Sequence, residues 1–232
     1  MKDQNKKPII GIVAKYRETK DDRYDALSRD EVKNAIIDNG GIAIGILSTA
    51  TAINFTNGDT WEEVLTEQQK QDFITQIKLC DGIILQGGSQ SLKYERWIAE
   101  YTFAHDIPTL GICAGQNNLI RAVGGTTKKV ANPEKHNQKW VDEVHEIFVN
   151  KASKFFEIVK CEKMVVNSRH KNTIDNPTNN YVVAAVDDDG NPDVLEAPNK
   201  KFNFAIRFHP ESLYRTHEKH NAIFQAFIAA CK

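Results

Sequence analysis

Apolar positions along the chain fall into two alternating patterns, short unbroken runs and stripes at helical spacing. The runs are Pro8-Ile-Ile-Gly-Ile-Val-Ala14, Gly41-Ile-Ala-Ile-Gly-Ile-Leu47, Cys80-Asp-Gly-Ile-Ile-Leu85 and Pro108-Thr-Leu-Gly-Ile112. Near-continuous apolarity over so few residues predicts parallel strands buried on both faces. The stripes predict helices over 28–38 (Val32, Ala35 and Ile36 inward), 66–79 (Phe73, Ile74 and Ile77 inward), 91–105 and 116–123. Ser28 reads as an N-cap with Glu31 completing a capping box. Gly40-Gly41 and Gly124-Gly125 read as helix stops. Strand and helix in alternation predict an α/β fold: a doubly wound, flavodoxin-like, mostly parallel sheet with helices on both faces.

The pattern changes after Val123. Strands are expected over 143–149, 164–167, 181–186, 194–197 and 202–208, and a short helix over 153–159. A closing helix over 215–232 turns Ile223, Phe224, Phe227 and Ile228 inward. The polar stretches 15–24, 48–65 and 126–142 read as loops, the second pinned by Trp61. This antiparallel-rich C-terminal half is expected to pack onto the parallel sheet, giving a single domain over residues 1–232.

Composition narrows the function classes. Apolar residues make up 41% and charged residues 26%, with Lys plus Arg at 30 against Asp plus Glu at 31. A net charge of −1 gives no electrostatic footprint for nucleic acid or a membrane surface. No apolar stretch approaches a membrane span, and the polar N-terminus leads into a strand rather than a signal-peptide core, so a cytoplasmic protein is expected. Cys80, Cys113, Cys161 and Cys231 are scattered, with no C-x-x-C pair and no His at zinc spacing. That argues against a disulfide framework or a structural zinc, and no metal or organic cofactor is expected where a thiolate, a base and an oxyanion hole suffice for acyl transfer.

One cysteine stands apart. Gly111-Ile-Cys-Ala-Gly115 lies between a predicted strand and a predicted helix, which is the context of a nucleophile elbow with Cys in place of Ser. Such a turn aims a helix N-terminus at the sulfur, favouring thiolate and a developing oxyanion. A buried structural Cys is the plainer alternative. Far along the chain, Phe208-His-Pro-Glu211 delivers a His to a strand end, and Cys113, His209 and Glu211 together make a plausible nucleophile, base and orienting acid. Gly87-Gly88, after the third strand, is either a plain turn or a second source of oxyanion donors beside Ala114.

Together these segments resemble the class I glutamine amidotransferase superfamily, and within it the γ-glutamyl hydrolase branch. The resemblance runs through Ser28-Arg-Asp-Glu31, Asn39-Gly-Gly-Ile42, Asp81-Gly-Ile-Ile-Leu-Gln-Gly-Gly88, the elbow, Val166-Asn-Ser-Arg-His170 and Phe208-His-Pro-Glu211. It implies a cysteine hydrolase in which Cys113 forms a γ-glutamyl thioester and His209, oriented by Glu211, moves protons. It also implies that Gly88 and Ala114 donate to the oxyanion, and that Gly87, Gln116, Ser168, Arg169 and His170 contact a small γ-glutamyl substrate. His170 is alternatively a hydrogen-bonded structural residue, and Arg169 and Lys171 are alternatively surface cations. The chain departs from the superfamily at Gln86, Ala114 and Arg207, where Pro or Ser, Arg or Leu, and Gln are common. A stand-alone γ-glutamyl hydrolase, with a homodimer allowed, is the leading expectation. The alternatives are an ammonia-donating glutaminase subunit of a separate amidotransferase, a redox sensor or chaperone built on an elbow cysteine, and a catalytically retired binding protein.

Overall fold

A computed structural model describes residues 6–18, 20, 24–49, 65–88 and 92–232. The expected position of Trp61, and Ser89 to Ser91 at the end of the glycine turn, lie outside the described residues.

Five strands form the parallel half of a nine-stranded sheet: β1 (Ile9–Val13), β4 (Ile42–Ile46), β5 (Gly82–Leu85), β6 (Thr109–Ile112) and β13 (Asn203–Ile206). Every residue of β5, β6 and β13 is buried, as unbroken apolar runs require of strands covered on both sides. The sheet order is β4-β1-β5-β6-β13-β12-β11-β8-β9, with β12 (Pro192–Glu196), β11 (Val182–Asp187), β8 (His145–Val149) and β9 (Lys163–Val166) antiparallel. The C-terminal half therefore extends the parallel sheet edge to edge and does not pack onto it. On β8, burial alternates residue by residue, which is the period of a strand with one solvated face.

Helices cover both faces. On one side α1 (Asp30–Asp38), α6 (Lys154–Val159) and α7 (Glu218–Ala230) bury Val32, Ile36, Phe155, Phe224 and Phe227 against Ile10, Ile84 and Leu110. On the other, α2 (Glu67–Lys78), α3 (Lys93–Ala104) and α4 (Ala114–Ala122) bury Phe73, Ile77, Tyr94, Ile98 and Leu119 against Val13, Ile83 and Leu85. Gly40 and Gly124 take positive φ (88° and 86°) just past α1 and α4, ending them as glycine stops do.

Three local expectations need correction. Residues 15–24 are not simply a loop: β2 (Lys15–Glu18) pairs antiparallel with β3 (Tyr24–Leu27). Residues 126–142 contain β7 (Thr126–Lys129) and the short α5 (Pro133–His136), and β7 pairs with β10 (Asn172–Asn176). These segments are largely polar and carry too few apolar positions to mark a period; their partners come from the ladder itself. Finally, α1 begins at Asp30 with Arg29 as N-cap, so Ser28 and Glu31 form no capping box. The Arg29 N–H is bound instead by Gln86 Oε1 at 2.8 Å, while Gln86 Nε2 donates to Val13 and Leu27 carbonyls at 2.8 Å each. A single buried amide from the end of β5 thus ties together β1, the β2–β3 arm and the start of α1.

Candidate active site

The C-terminal ends of β1, β5, β6 and β13 point to one edge of the sheet, where doubly wound folds build their sites. Cys113 follows β6 directly and caps α4 with φ 53° and ψ −102°, a left-handed-side conformation that costs energy for a residue with a Cβ. The turn is made possible by close approaches on either side. A Cβ on Gly111 would sit 2.7 Å from the Gly115 carbonyl oxygen, and one on Gly115 would sit 2.0 Å from that of Leu85. Ala114 opens α4, so its N–H has no partner within the helix.

His209 arrives from β13 and its side chain is hydrogen-bonded to the Cys113 thiol. Its Nδ1 lies 2.7 Å from Glu211 Oε1, within the tight Pro210–Ser212 turn. The carboxylate accepts, so Nδ1 carries the proton and Nε2 is left for the sulfur. The His209 main chain is clamped by Asn167, whose Oδ1 accepts from His209 N at 2.7 Å and whose Nδ2 donates to His209 O at 2.9 Å. Gly87 leaves room for the ring: a Cβ there would lie 2.7 Å from His209 Cε1. Beneath the elbow, the buried Arg207 guanidinium donates to the Cys113 carbonyl at 3.3 Å and to Asn117 Oδ1 at 2.8 Å.

These neighbours set the charges. Burial works against a thiolate at Cys113, but the adjacent imidazolium of His209 and the Arg207 cation outweigh it and bring the thiol below its ordinary value. Burial likewise opposes a charged His209, yet Glu211 and the Cys113 sulfur hold its proton more tightly than usual. Glu211 is lowered, its desolvation overcome by His209. All three shifts favour the charged forms, thiolate, imidazolium and carboxylate.

A cleft of about 370 Å³ opens over the sulfur, lined by Arg29, Gly88, Cys113, Lys139, Trp140, Arg169 and His209. The lining carries three cationic side chains and no carboxylate among the described residues. The geometry thus joins Cys113, His209 and Glu211, sets Gly88 in the cleft lining with the sulfur, leaves Ala114 next to Cys113 in the chain, and puts Arg169 on the wall.

Four expected substrate contacts are not in the cleft lining, and the first, Gly87, instead lies against the His209 ring. Gln116 is fully buried, with Nε2 3.2 Å from the Ala205 carbonyl and 3.3 Å from that of Asp193, so it joins α4 to β12 and β13. Ser168 is fully buried and donates to the His136 carbonyl at 2.9 Å. His170 is buried beside His136 and His145, away from the lining. Strand geometry explains the last two: side chains on an extended segment alternate, so Arg169 faces the cleft while its neighbours face inward. Sequence reasoning misses Arg29, Lys139, Trp140 and the Asn167 clamp as functional residues. Asn167 does lie within the Val166–His170 motif, but nothing in that motif marks its two backbone bonds.

The electrostatics give a direct prediction. Alkylation of Cys113 by iodoacetamide, followed by peptide mass spectrometry across pH, is expected to show a midpoint at about 7. Cys80, pushed up to about 11 by burial and Asp81, reacts only at higher pH. Because the lowering at Cys113 comes from the imidazolium, His209→Ala is expected to move its midpoint upward. An unmoved midpoint would remove His209 as the cause.

In sequence and fold the chain is similar to known proteins. The peptidase C26 family matches residues 92–211, which include the elbow, Asn167, His209 and Glu211. The chain is 29% identical to a glutamine-hydrolysing GMP synthase subunit of Picrophilus torridus over 157 residues, covering 66% of this chain and 78% of that one. It is 30% identical to CTP synthase of Lactobacillus johnsonii over 205 residues, covering 72% of this chain and 37% of that protein. Its fold matches the CTPS glutaminase domain of Trypanosoma brucei with a TM-score of 0.66 at 15% identity, over 97% of this chain and 93% of that one. Among the described residues, no helix is long and apolar enough to cross a membrane. With its elbow cysteine and its mixed α/β sheet, the chain belongs to the peptidase C26 family, a class I glutamine amidotransferase-like group.

Proposed function

We propose that the chain hydrolyses the γ-amide of glutamine through a thioester on Cys113 and releases ammonia for a separate synthase component. The observation that carries the chemistry is the buried relay from the Cys113 thiol through His209 to Glu211, opening into a cleft. The Cys113 sulfur attacks the γ-carbonyl carbon, and the carbonyl oxygen takes the negative charge beside the Gly88 and Ala114 N–H groups. The intermediate collapses as His209 gives its proton to the leaving nitrogen, and ammonia departs. His209 then takes a proton from water, whose oxygen attacks the thioester, and glutamate leaves as the thiolate and imidazolium are restored. Glu211 holds the imidazole in the right tautomer throughout.

The relatives support glutamine as substrate and reverse the order of the two leading expectations. Each is named for a synthase, one of them as a glutamine-hydrolysing subunit, and the chain matches only part of the CTP synthase. One observation favours the γ-glutamyl hydrolase reading as the second. Arg29, Lys139 and Arg169 surround the cleft, more positive charge than a single substrate carboxylate requires. An acidic leaving group, as in a γ-glutamyl peptide, would use it.

Product analysis separates the two readings. Glutamine, γ-glutamyl-GABA, γ-glutamyl peptides and a folate polyglutamate are supplied, and the released amines are identified. Ammonia from glutamine, enhanced by a synthase partner, is the expected result. Release of another amine with glutamine untouched would replace it with the hydrolase reading. In that case Lys139→Ala is expected to raise KM for acidic substrates roughly tenfold with kcat little changed, because a cleft cation lost from ground-state binding acts on KM.

A further inference from the structure

A second cluster lies behind the cleft wall. His136, His145 and His170 are all buried, and one ring nitrogen of each lies within 4.8 Å of one from each of the others. Their rings are in contact, with centroids 5.3 Å apart for His136 and His145 and 5.1 Å apart for His136 and His170. No sequence motif announces this cluster, because the three come from α5, β8 and the segment before β10, at spacings that match no zinc pattern.

One nitrogen of each ring is committed. His136 Nε2 lies 3.2 Å from Asp189 Oδ2, with Asp187 Oδ2 behind it at 3.7 Å. His145 Nδ1 lies 3.2 Å from the Glu146 carbonyl, and His170 Nδ1 3.0 Å from that of Asn172. All these partners are acceptors, so each of these nitrogens carries the hydrogen. The opposite nitrogens, His136 Nδ1, His145 Nε2 and His170 Nε2, then present bare lone pairs, and each is buried without a hydrogen-bond partner. Three desolvated acceptors left unmatched on adjoining rings are costly. One water would satisfy at most two of them, since it has two hydrogens to give.

We propose that His136, His145 and His170 form a binding site for a divalent transition-metal ion of the zinc type. A single metal cation can accept all three lone pairs at once. Neutral imidazole suits zinc and its first-row neighbours, whereas calcium and magnesium take oxygen ligands. Tetrahedral coordination at about 2.1 Å sets ligand nitrogens about 3.4 Å apart, so the cluster needs only a modest contraction by side-chain rotation. Carboxylate and carbonyl groups holding the far N–H of each ring are the supporting shell such sites use to fix tautomer and orientation. Asp187 and Asp189 also supply negative charge near the ion.

The position gives the ion a task. Lys139 and Trp140 lie on the segment between His136 and His145, and Arg169 immediately precedes His170. That segment is already stitched to its neighbour: Asn137 bridges to Arg169, and His170 N donates to the His136 carbonyl at 2.8 Å. An ion shared by the three histidines ties both sides of the cleft wall to β8. It acts on the wall's order, with no part in bond breaking, and stands independently of the substrate assigned above.

The test uses the full chain, stripped with a chelator and titrated with Co²⁺ and Zn²⁺. Wild type is expected to take up about one equivalent, with visible Co²⁺ bands of tetrahedral nitrogen coordination, no thiolate charge-transfer band and a raised melting temperature. Cys113→Ala is expected to bind equally. The double variant His145→Asn/His170→Asn, its fold checked by circular dichroism, is expected to bind at least roughly tenfold more weakly. Absence of uptake by wild type, a thiolate band, or undiminished binding by the folded double variant would overturn the site. If the double variant does not fold, the wild-type Co²⁺ spectrum alone decides.

Discussion

Cys113→Ala is expected to abolish thioester formation and lower glutamine hydrolysis by at least about 10⁴-fold, with the fold unchanged. The side chain lost is small, and Ala takes the same backbone as readily as Cys, so circular dichroism and melting temperature should stay close to wild type. What disappears is the atom that forms the covalent bond. Neither Cys80 nor Cys161 can replace it: both thiols are shifted upward by burial, and neither faces His209. His209→Ala makes the test sharper. Under the proposed chemistry its loss is comparable, because sulfur and imidazole act as one unit and their effects do not add. A redox sensor would keep its function without His209, so persistence of the cellular phenotype in His209→Ala but not in Cys113→Ala would favour that class instead.

Gly115→Ala is expected to destabilise the chain by about 4 kcal/mol or more, a large part of the roughly 5–15 kcal/mol typical of a folded protein. The added Cβ would sit 2.0 Å from the Leu85 carbonyl oxygen and 2.8 Å from its carbon. Both are main-chain atoms at the end of a fully buried strand, so nothing flexible can move aside. Either β5 shifts, breaking its ladders to β1 and β6, or α4 lifts and the elbow opens. Urea denaturation should show the midpoint falling with loss of soluble protein. Gly45→Ala is the control: a Cβ there meets nothing within 4 Å, and the change is expected within about 0.5 kcal/mol. Equal tolerance at the two positions would refute the close approach as the reason for the second elbow glycine.

Much of the fold and of the candidate site is legible in short stretches of sequence. The buried runs at 8–14, 80–85 and 108–112 specify parallel strands, because only a strand covered on both faces is apolar at successive positions. The elbow is readable because its chemistry is local: a nucleophile between glycines, after a strand and before a helix. His209 and Glu211 are readable because their spacing lets one tight turn hold both.

Other features have no local signature. Gln86 looks like a departure in a glycine turn, yet its amide replaces the capping box expected of Ser28 and Glu31, since the acceptor comes from another strand. Thr126–Lys129 and Asn172–Asn176 form a ladder although each is largely polar; pairing energy between distant segments leaves no period in either. Ser168 and His170 turn inward while Arg169 faces the cleft, a matter of which face the strand presents.

The strand–helix alternation and the residues able to do acyl chemistry follow from the order of amino acids, because burial period and covalent reactivity are written locally. Tertiary packing was needed to make Gln116 a core connector, to ring the cleft with three cations, and to bring His136, His145 and His170 together. Those outcomes depend on which distant segments share a sheet edge, and no short stretch of chain encodes that.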